Sequence, residues 1–466
     1  MAQDNFTELH FIGIGGSGMS ALAELASLRG KIVTGSDTQY STNTERLRTL
    51  GIEIDLEQSG RLIRPGKNVV VSSAIAKSNV ELRRSMELGL AIMHRSDVLK
   101  WLMEGFKVIS VAGTHGKTTT SALIAHVLQD LGHDPTAAIG GVLKGIGSNV
   151  MHGKGPWFVA ELDESDGSHT KFTPFIGVLT NVDQDHLDFY KHESAIHQSF
   201  SKHLNNIDSD GAAVICWDDK GSRILGSSYE GNRITYGFRL GAEVRCLSYE
   251  TRGGSTLFRA IVDKDQLQAT LPLMGRHNVL NALACLSVVN TLGFDVERAS
   301  EALASYQGVE RRMSLVFAGP EIRVYDDYAH NPGKITACLD ALKDSWPDHT
   351  IHAIYQAHRY SRLETMFEAT VSAFSKADCV TVLPVYAAGE EASRAFDPKN
   401  LAKEITRASK VIARPADCLE DCAQDLVESW DGPTIFITIG AGDVWKVSQR
   451  MGEILNENGA KKESNP

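Results

Sequence analysis

The chain has 466 residues, 42% apolar and 23% charged, with a formal net charge of −11. Its length suggests about three domains, each large enough to bury its own core, and its composition excludes a disordered chain. The acidic balance argues against nonspecific nucleic-acid or anionic-membrane binding, and no apolar run reaches the ~20 residues of a membrane helix. Met1 to His10 carries Asp4 and Glu8 and no basic cluster, so no secretory signal is expected. The seven cysteines (Cys216, Cys246, Cys285, Cys338, Cys379, Cys418 and Cys422) are scattered, with no C-x-x-C pair. A disulfide framework or zinc site is therefore not expected, and a reducing, cytoplasmic setting is.

Strand-like and helix-like segments alternate, which predicts α/β layers. A first block, residues 1–104, opens with a buried strand at Leu9–Ile14. Met19, Leu22, Leu25 and Leu28 then recur at helical spacing. Further strands are predicted at Lys31–Thr34 and Asn68–Ser72. A second block, 105–310, begins with a strand at Lys107–Ala112, a glycine-containing loop, and a helix with Leu123, Val127, Leu128 and Leu131 on one face. Strands at Trp157–Ala160 and Phe175–Thr180 follow, then a strand-rich stretch from Ala212 to Leu273 with a turn at Gly253-Gly254. The third block, 311–466, alternates strands at Ile322–Tyr325, His352–Tyr355, Cys379–Leu383 and Thr434–Thr438 with helices, predicting another parallel sheet. Asn456 to Pro466 reads as a frayed polar tail.

Two loops carry phosphate chemistry. Gly13-Ile14-Gly15-Gly16-Ser17-Gly18 fits G-x-G-x-x-G between a strand and a helix, a diphosphate signal. Asp37 ends the second strand, where an acid meets a ribose hydroxyl in dinucleotide-binding folds, so this block alone suggests a dehydrogenase. Ala112-Gly113-Thr114-His115-Gly116-Lys117-Thr118-Thr119 resembles a phosphate loop, although Val111 occupies its first glycine position. Its amides can cradle phosphates, Lys117 can neutralise β/γ charge, and Thr118 can hold Mg²⁺. Glu161, at the end of the next strand, is the expected Mg²⁺ ligand, while Asp163, Glu164 and Asp166 read as a solvated loop or helix start. His186, just after the following strand, is a candidate for a metal or substrate role.

Gly113–Thr119, the Glu161 cluster, Asp185-His186-Leu187-Asp188, Gly275–Asn281, Arg311-Arg312 and Asp326–Pro332 occur in the order seen in Mur ligases, which the chain resembles over nearly its whole length. That resemblance implies a Rossmann-like UDP-binding domain, a central ATPase-type α/β domain with added β-strands, and a Rossmann-like C-terminal domain. It implies ATP-dependent amide formation through an acyl phosphate. Four further stretches resemble the branch that joins L-alanine to UDP-N-acetylmuramate: His10–Met19, Val71–Ile75, His358–Arg362 and Val385–Glu390.

The resemblance further implies that Gly113, Thr114, His115, Gly116, Lys117, Thr118 and Thr119 bind ATP, with Asn278 and Asn281 contacting it from the central domain. Arg312 and Asp327 would reach its γ-phosphate and ribose from the third domain. Lys117, Glu161, His186 and Arg312 would be catalytic, with Thr118 and Glu161 on one Mg²⁺ and His186 on a second. His330, Arg359 and Arg362 would receive the amino acid, a guanidinium fork suiting its carboxylate. Gly13, Gly15, Gly16, Ser17, Gly18 and Asp37 would hold the UDP end, and Ser72, Ser73, His94 and Arg95 would line the sugar side. The assembly would be a monomer or homodimer.

Six residues depart from the family pattern: His169, Met313, Asn331, Gly333, Lys334 and Ala357. They leave open a sister ligase that reattaches a recovered tripeptide to UDP-N-acetylmuramate, and a noncatalytic nucleotide-binding protein. A nicotinamide-dependent dehydrogenase leaves Lys117 and Glu161 unexplained.

Overall fold

The computed structural model describes residues 6–183 and 187–463. Three α/β domains follow one another, each built on its own sheet. The chain divides into two compact units, one of Met1–Leu247, Arg259–Ala269 and Leu280–Gln307, the other of Ser248–Phe258, Thr270–Val279 and Gly308–Pro466.

The first sheet is parallel, in the order Glu53–Asp55, Ile32–Ser36, Glu8–Ile12, Asn68–Val71, Ile92–His94. Its central strand is buried on both faces. Leu9 and Phe11 join one apolar cluster with the helix Ser17–Leu28, and Ile12 joins Val69, Leu82 and Ile63 in another. The strand stops at Ile12 rather than Ile14, because Gly13 and Ile14 turn to donate their N–H groups to the Ser36 carbonyl. The three-residue strands Glu53–Asp55 and Ile92–His94 are too short to show an alternation in sequence.

In the ten-stranded middle sheet Lys107–Ala112 lies between Ile176–Leu179 and Trp157–Glu161, parallel to both. Ile109, Val111 and Ala112 are fully buried, as are Leu123, Ile124, Val127 and Leu128 of the helix Lys117–Asp130 that follows. Burying each larger side chain is worth about 2 kcal/mol. This core fixes the point where the chain leaves the sheet and starts the helix. An antiparallel hairpin, Thr136–Leu143 with Ser148–Met151, ties the first domain to the second. The Asn149 amide donates to the Ser17 carbonyl (2.6 Å), and Arg46 donates to Ser148 (2.6 Å) and Asn149 (2.7 Å) while pairing with Glu24. One apolar cluster, running from Leu9 and Phe11 to Val108, Phe158 and Phe172, spans both domains.

The third sheet orders Ser314–Ala318, Ile322–Asp327, Thr434–Ile439, Thr350–Tyr355, Cys379–Val382 and Ile412–Pro415. The four strands expected from sequence pair in parallel, and the sheet adds two the sequence reading did not name, the parallel Ile412–Pro415 and the antiparallel edge strand Ser314–Ala318. The segment expected to fray, Asn456–Pro466, is helical as far as the described residues run. A helix runs from Trp445 to Glu463, anchored by buried Val447, Met451, Ile454 and Leu455, and each further turn adds one backbone bond per residue at no new nucleation cost. All seven cysteines are free thiols, five of them buried.

His169 and His203 are both fully buried beneath the middle sheet, with ring centroids 5.6 Å apart. His203 Nδ1 donates to the His169 carbonyl (3.1 Å), leaving Nε2 to accept from Ser110 (3.4 Å). The His169 ring packs against Phe200, and its Nδ1 has no hydrogen-bond partner among the described residues. Burial pushes both imidazoles down, His169 to about 3 and His203 to about 4. The sign follows from proton binding. Below the ordinary histidine pKa of about 6.5 the unfolded chain takes up protons that the folded chain refuses. Stability is therefore expected to be level above about pH 6.5 and to fall toward pH 4, by up to about 1.4 kcal/mol per pH unit for each ring. Chemical unfolding of the wild type and of His169→Phe at several pH values checks this. The variant should show the shallower acid slope, and equal slopes would refute the assignment.

Candidate functional site

Between Ala112 and Lys117 the chain must turn from strand to helix while leaving its amides open. Gly113 and Gly116 make this possible with positive φ values of 131° and 83°. A Cβ on Gly113 would run into Thr180 and Asn181, and one on Gly116 would sit 2.7 Å from the Asn281 amide oxygen. The loop is braced from the end of the neighbouring strand. His115 N–H donates to the Asn181 side chain (2.8 Å), the Asn181 amide and the Thr180 hydroxyl donate to the His115 carbonyl (2.9 and 2.7 Å), and Asp183 N–H donates to Thr114 (3.0 Å). His115 Nε2 faces the Asp183 carboxylate at 3.3 Å, while its buried Nδ1 has no partner among the described residues.

Lys117 is nearly buried and points back over the loop. Its ammonium donates to the Gly113 carbonyl (2.6 Å) and to both oxygens of Glu164 (3.0 and 2.7 Å). Burial pulls its pKa down, but Glu164, Glu161 and Asp163 outweigh burial and hold it above the usual lysine range. Thr118 donates to Glu161 Oε2 (2.8 Å), which also accepts from Gly140 N–H (3.0 Å).

The acids after Glu161 are not a solvated loop. Glu164 is 3% exposed and pairs with Lys117, and its backbone carbonyl accepts from the Tyr190 hydroxyl (2.6 Å). Asp163 and Asp166 both pair with Arg95 (2.7 and 3.3 Å). Burial opposes ionisation at each, yet Arg95 and local hydrogen bonds hold both carboxyls below their usual range. These pairings escape a sequence reading because the partners lie 47 to 71 residues apart. The signal that could have found Glu164 is that a loop lysine leaving water needs an anion beside it.

The Thr118 and Glu161 oxygens fit Mg²⁺. That ion binds through one or two carboxylates plus phosphates and keeps several waters, and among the described residues no three His, Cys, Asp or Glu side chains converge into a fuller cage. His186 lies outside the described residues. Asn281 accepts from Thr120 (3.1 Å) against the loop, and Asn278 donates to the Met274 carbonyl (2.8 Å).

In the first domain, Gly15 N–H donates to Asp37 (2.8 Å), so Asp37 holds the glycine loop, and the Asn43 amide donates to the Gly15 carbonyl (2.9 Å). The helix Ser17–Leu28 begins at Gly16 with no side-chain cap. Ser73 and His94 both face Asp166 (2.7 and 3.4 Å), and Arg95 lies beside Gly18. Ser72 follows the strand Asn68–Val71 and is half-buried.

The second unit carries the remaining candidates. Arg312 lies between Arg311 and Met313, which adopt positive φ of 58° and 46°. Asp327 is buried and accepts from Met313 N–H and Ala329 N–H (both 2.7 Å). Burial nevertheless raises its pKa, against Arg312 and those two donors. Arg311 pairs with Asp326 (3.3 Å), which burial pushes up to about 6. Asn331 caps the helix Pro332–Ser345 by accepting from Lys334 N–H (3.0 Å), a physical reason for asparagine there. Met313 packs its sulfur against Cys338, and Ala357 is buried. His330 Nδ1 donates to the Tyr328 carbonyl (2.9 Å), and burial, with Lys334 and Arg362 nearby, keeps the ring neutral. Burial and then Arg362 and Arg359 push His358 down to about 4. Arg359 is exposed and Arg362 half-buried, and neither guanidinium has a hydrogen-bond or ion-pair partner among the described residues.

A phosphate loop facing a strand-end carboxylate, on a sheet flanked in sequence by two further α/β domains, defines a three-domain nucleotide-dependent α/β protein. The chain belongs to the Mur ligase family: the Mur ligase middle domain matches residues 111–289, the family's "catalytic domain" matches 8–107, and the "glutamate ligase domain" matches 311–442. It is similar to the UDP-N-acetylmuramate–L-alanine ligase of Desulforapulum autotrophicum, 36% identical and covering 98% of this chain and all of that protein. The enzyme of the same name from Desulfosudis oleivorans is 38% identical over 95% of this chain and 97% of its own. Among solved structures, UDP-N-acetylmuramate-alanine ligase from Thermotoga maritima superposes with a TM-score of 0.83 at 31% identity, over 97% of this chain and 99% of that one. The murein peptide ligase of Psychrobacter arcticus shares the fold, with a TM-score of 0.72 at 23% identity over 96% and 98%.

Gly116→Ala tests the loop geometry. Positive φ and the close Asn281 oxygen are expected to cost about 1–3 kcal/mol locally, and the KM for ATP should rise at least about tenfold. A KM within twofold of wild type would show that the loop tolerates a side chain there.

Proposed function

We propose that this chain is a cytoplasmic ATP-dependent ligase that joins L-alanine to the lactyl carboxylate of UDP-N-acetylmuramate, giving ADP and phosphate. The observation that carries this reading is 36–38% identity to ligases of that name over at least 95% of the chain. The geometry supports it with a phosphate loop in the first unit and a pair of unpartnered guanidinium groups in the second.

The substrate carboxylate attacks the γ-phosphorus of ATP, ADP leaves, and an acyl phosphate forms. The amine of alanine then attacks the acyl carbon, phosphate leaves, and the ammonium-derived proton passes to solvent or a base. Negative charge gathers on phosphoryl oxygens in the first step and on the acyl oxygen in the second, so catalysis is positioning plus cationic stabilisation. Lys117 leaves Glu164 for the β/γ-phosphates, and the loop amides from Gly113 to Thr119 cradle them. Thr118 and Glu161 would hold one Mg²⁺, which supplies Lewis-acid neutralisation of phosphate charge, and His186 is assigned to a second. Asn278, Asn281, Arg312 and Asp327 serve the nucleotide. Gly13–Gly18 with Asp37 take the UDP diphosphate, and Ser72, Ser73, His94 and Arg95 the sugar side.

Arg359 and Arg362 receive the alanine carboxylate. A neutral His330 beside them leaves the guanidinium groups as the cations offered to it. The domain partition we favour is 1–104, 105–310 and 311–466.

Phosphate release with ATP, Mg²⁺ and UDP-N-acetylmuramate, adding L-alanine, glycine, L-serine or the recovered tripeptide in turn, tests the reading. Turnover led by L-alanine is expected and should be abolished in Lys117→Ala. Turnover led by the tripeptide would move the chain to the recycling branch, and no turnover with any amine would refute ligation. Within that assay, Arg362→Ala should raise the KM for L-alanine about 10- to 100-fold, the loss of one charge-assisted pair, while the KM for ATP stays within about twofold. Equal rises in both would remove Arg362 from the amino-acid site.

A further inference from the structure

The Leu162–Gly167 segment is neither strand nor helix, so side-chain bonds fix its course. Asp163 accepts from Ser165 N–H (3.0 Å) and Asp166 from Ser168 N–H (3.0 Å), which shapes the turn locally. Ser73 and His94 reach Asp166 from the first domain (2.7 and 3.4 Å), and among the described residues Arg95 alone reaches both Asp163 and Asp166. One of its terminal nitrogens, Nη2, donates to Asp163 (2.7 Å) and Asp166 (3.3 Å). The other, Nη1, lies 3.3 Å from where a Cβ on Gly18 would sit, beside the glycine loop. The same turn carries Glu164, which holds Lys117, and begins just after Glu161, which accepts from Thr118. A single guanidinium thus touches the lip of one phosphate-binding loop and the segment that positions the cation of the other.

We propose that Asp163, acting through Arg95, is a positioning residue that couples the Gly13–Gly18 loop to the phosphate loop, so that a diphosphate on the first tightens ATP binding on the second. The proposal rests on the assignment of Gly13–Gly18 to the UDP diphosphate. An anion on that loop engages Nη1 and fixes the guanidinium, whose Nη2 then fixes Asp163 and Asp166. The turn bearing Glu164 loses freedom before ATP arrives, and ATP binding has less ordering left to impose. By linkage the effect is reciprocal, with ATP tightening the diphosphate by the same factor.

Calorimetric titration of the full chain with ATP and Mg²⁺, with and without saturating UDP, measures the coupling. UDP carries the diphosphate but no acceptor carboxylate, so no turnover intrudes. The wild type is expected to bind ATP about fivefold or more tightly with UDP present, the lower end of typical couplings. In Asp163→Asn the ratio should fall to within about twofold of one, while ATP affinity without UDP stays within about threefold of wild type. Arg95→Lys replaces the fork with a single ammonium that cannot span loop and turn, and should lose the coupling as well. It serves as the second variant if Asp163→Asn does not fold. A merely structural role for Asp163 would weaken both titrations and leave their ratio unchanged. A ratio near one in the wild type, or a wild-type ratio in a folded variant, overturns the coupling and leaves the UDP assignment standing. Absence of UDP binding to the wild type overturns that assignment and the coupling with it.

Discussion

An ammonium group held out of water must be neutralised, and the site in the first unit is arranged around that constraint at Lys117. The lysine side chain is 12% exposed and its partner Glu164 is 3% exposed, so neither charge is stable there without the other. Glu164 can reach Lys117 only if the strand Trp157–Glu161 ends where it does, in register with Lys107–Ala112. That register is set by the apolar packing of both strands beneath the helix Lys117–Asp130. Hydrophobic burial therefore fixes the strand ends, the strand ends fix the carboxylates, and the carboxylates hold the lysine over the loop. In the proposed reaction a nucleotide brings its own negative charge and takes Glu164's place on Lys117. Such an exchange of one anion for another keeps the ammonium paired throughout, avoiding the several kcal/mol that a lone buried charge would cost.

Much of this was legible in the sequence, for identifiable reasons. The phosphate loop is a local pattern: strand, glycines, Lys117, Thr118 and helix lie within one short stretch, so spacing alone carries the chemistry. Glu161 follows from its place at a strand end. The partners of the charges are a different matter. Arg95 and Asp163 are 68 residues apart, and Glu164 and Lys117 are 47 apart, so only the folded sheet brings them together. Read in isolation, an acid run such as Glu161 to Asp166 resembles a solvated loop. The three-residue strands escape the pattern for another reason, since two side chains on one face and one on the other cannot establish a period. The C-terminal tail was misread because its polar composition outweighed the apolar anchors Val447, Met451, Ile454 and Leu455 just before it.

Several residues that a motif reading assigns to ligands are engaged with the protein's own backbone. Asp37 accepts from Gly15 N–H, and Asp327 accepts from Met313 and Ala329 N–H. These bonds do not conflict with a role toward ribose. A carboxylate has about four lone-pair sites, and two backbone donors leave others open. What the bonds add is rigidity. Asp327 ties Met313, at the end of the strained Arg311–Met313 turn, to its own Asp327–Ala329 loop, and left-handed backbone at non-glycine residues costs about 1–3 kcal/mol per residue unless its surroundings fix it.

The two units therefore rest in different electrostatic states. In the first, acids and bases near the phosphate loop are matched pair by pair: Lys117 with Glu164, and Arg95 with Asp163 and Asp166. In the second, the guanidinium groups of Arg359 and Arg362 have no hydrogen-bond or ion-pair partner among the described residues, with only the Glu390 carboxylate acting on Arg359 from a distance, and the nearby histidines are held neutral. A matched site must exchange partners to bind an anion, so its affinity depends on what the displaced carboxylates do next. An unmatched site binds a carboxylate by simple addition. That difference suits the order of the proposed chemistry. Phosphoryl transfer calls for charge already organised around a fixed geometry, whereas a small zwitterionic amino acid needs an open cation with nothing to displace.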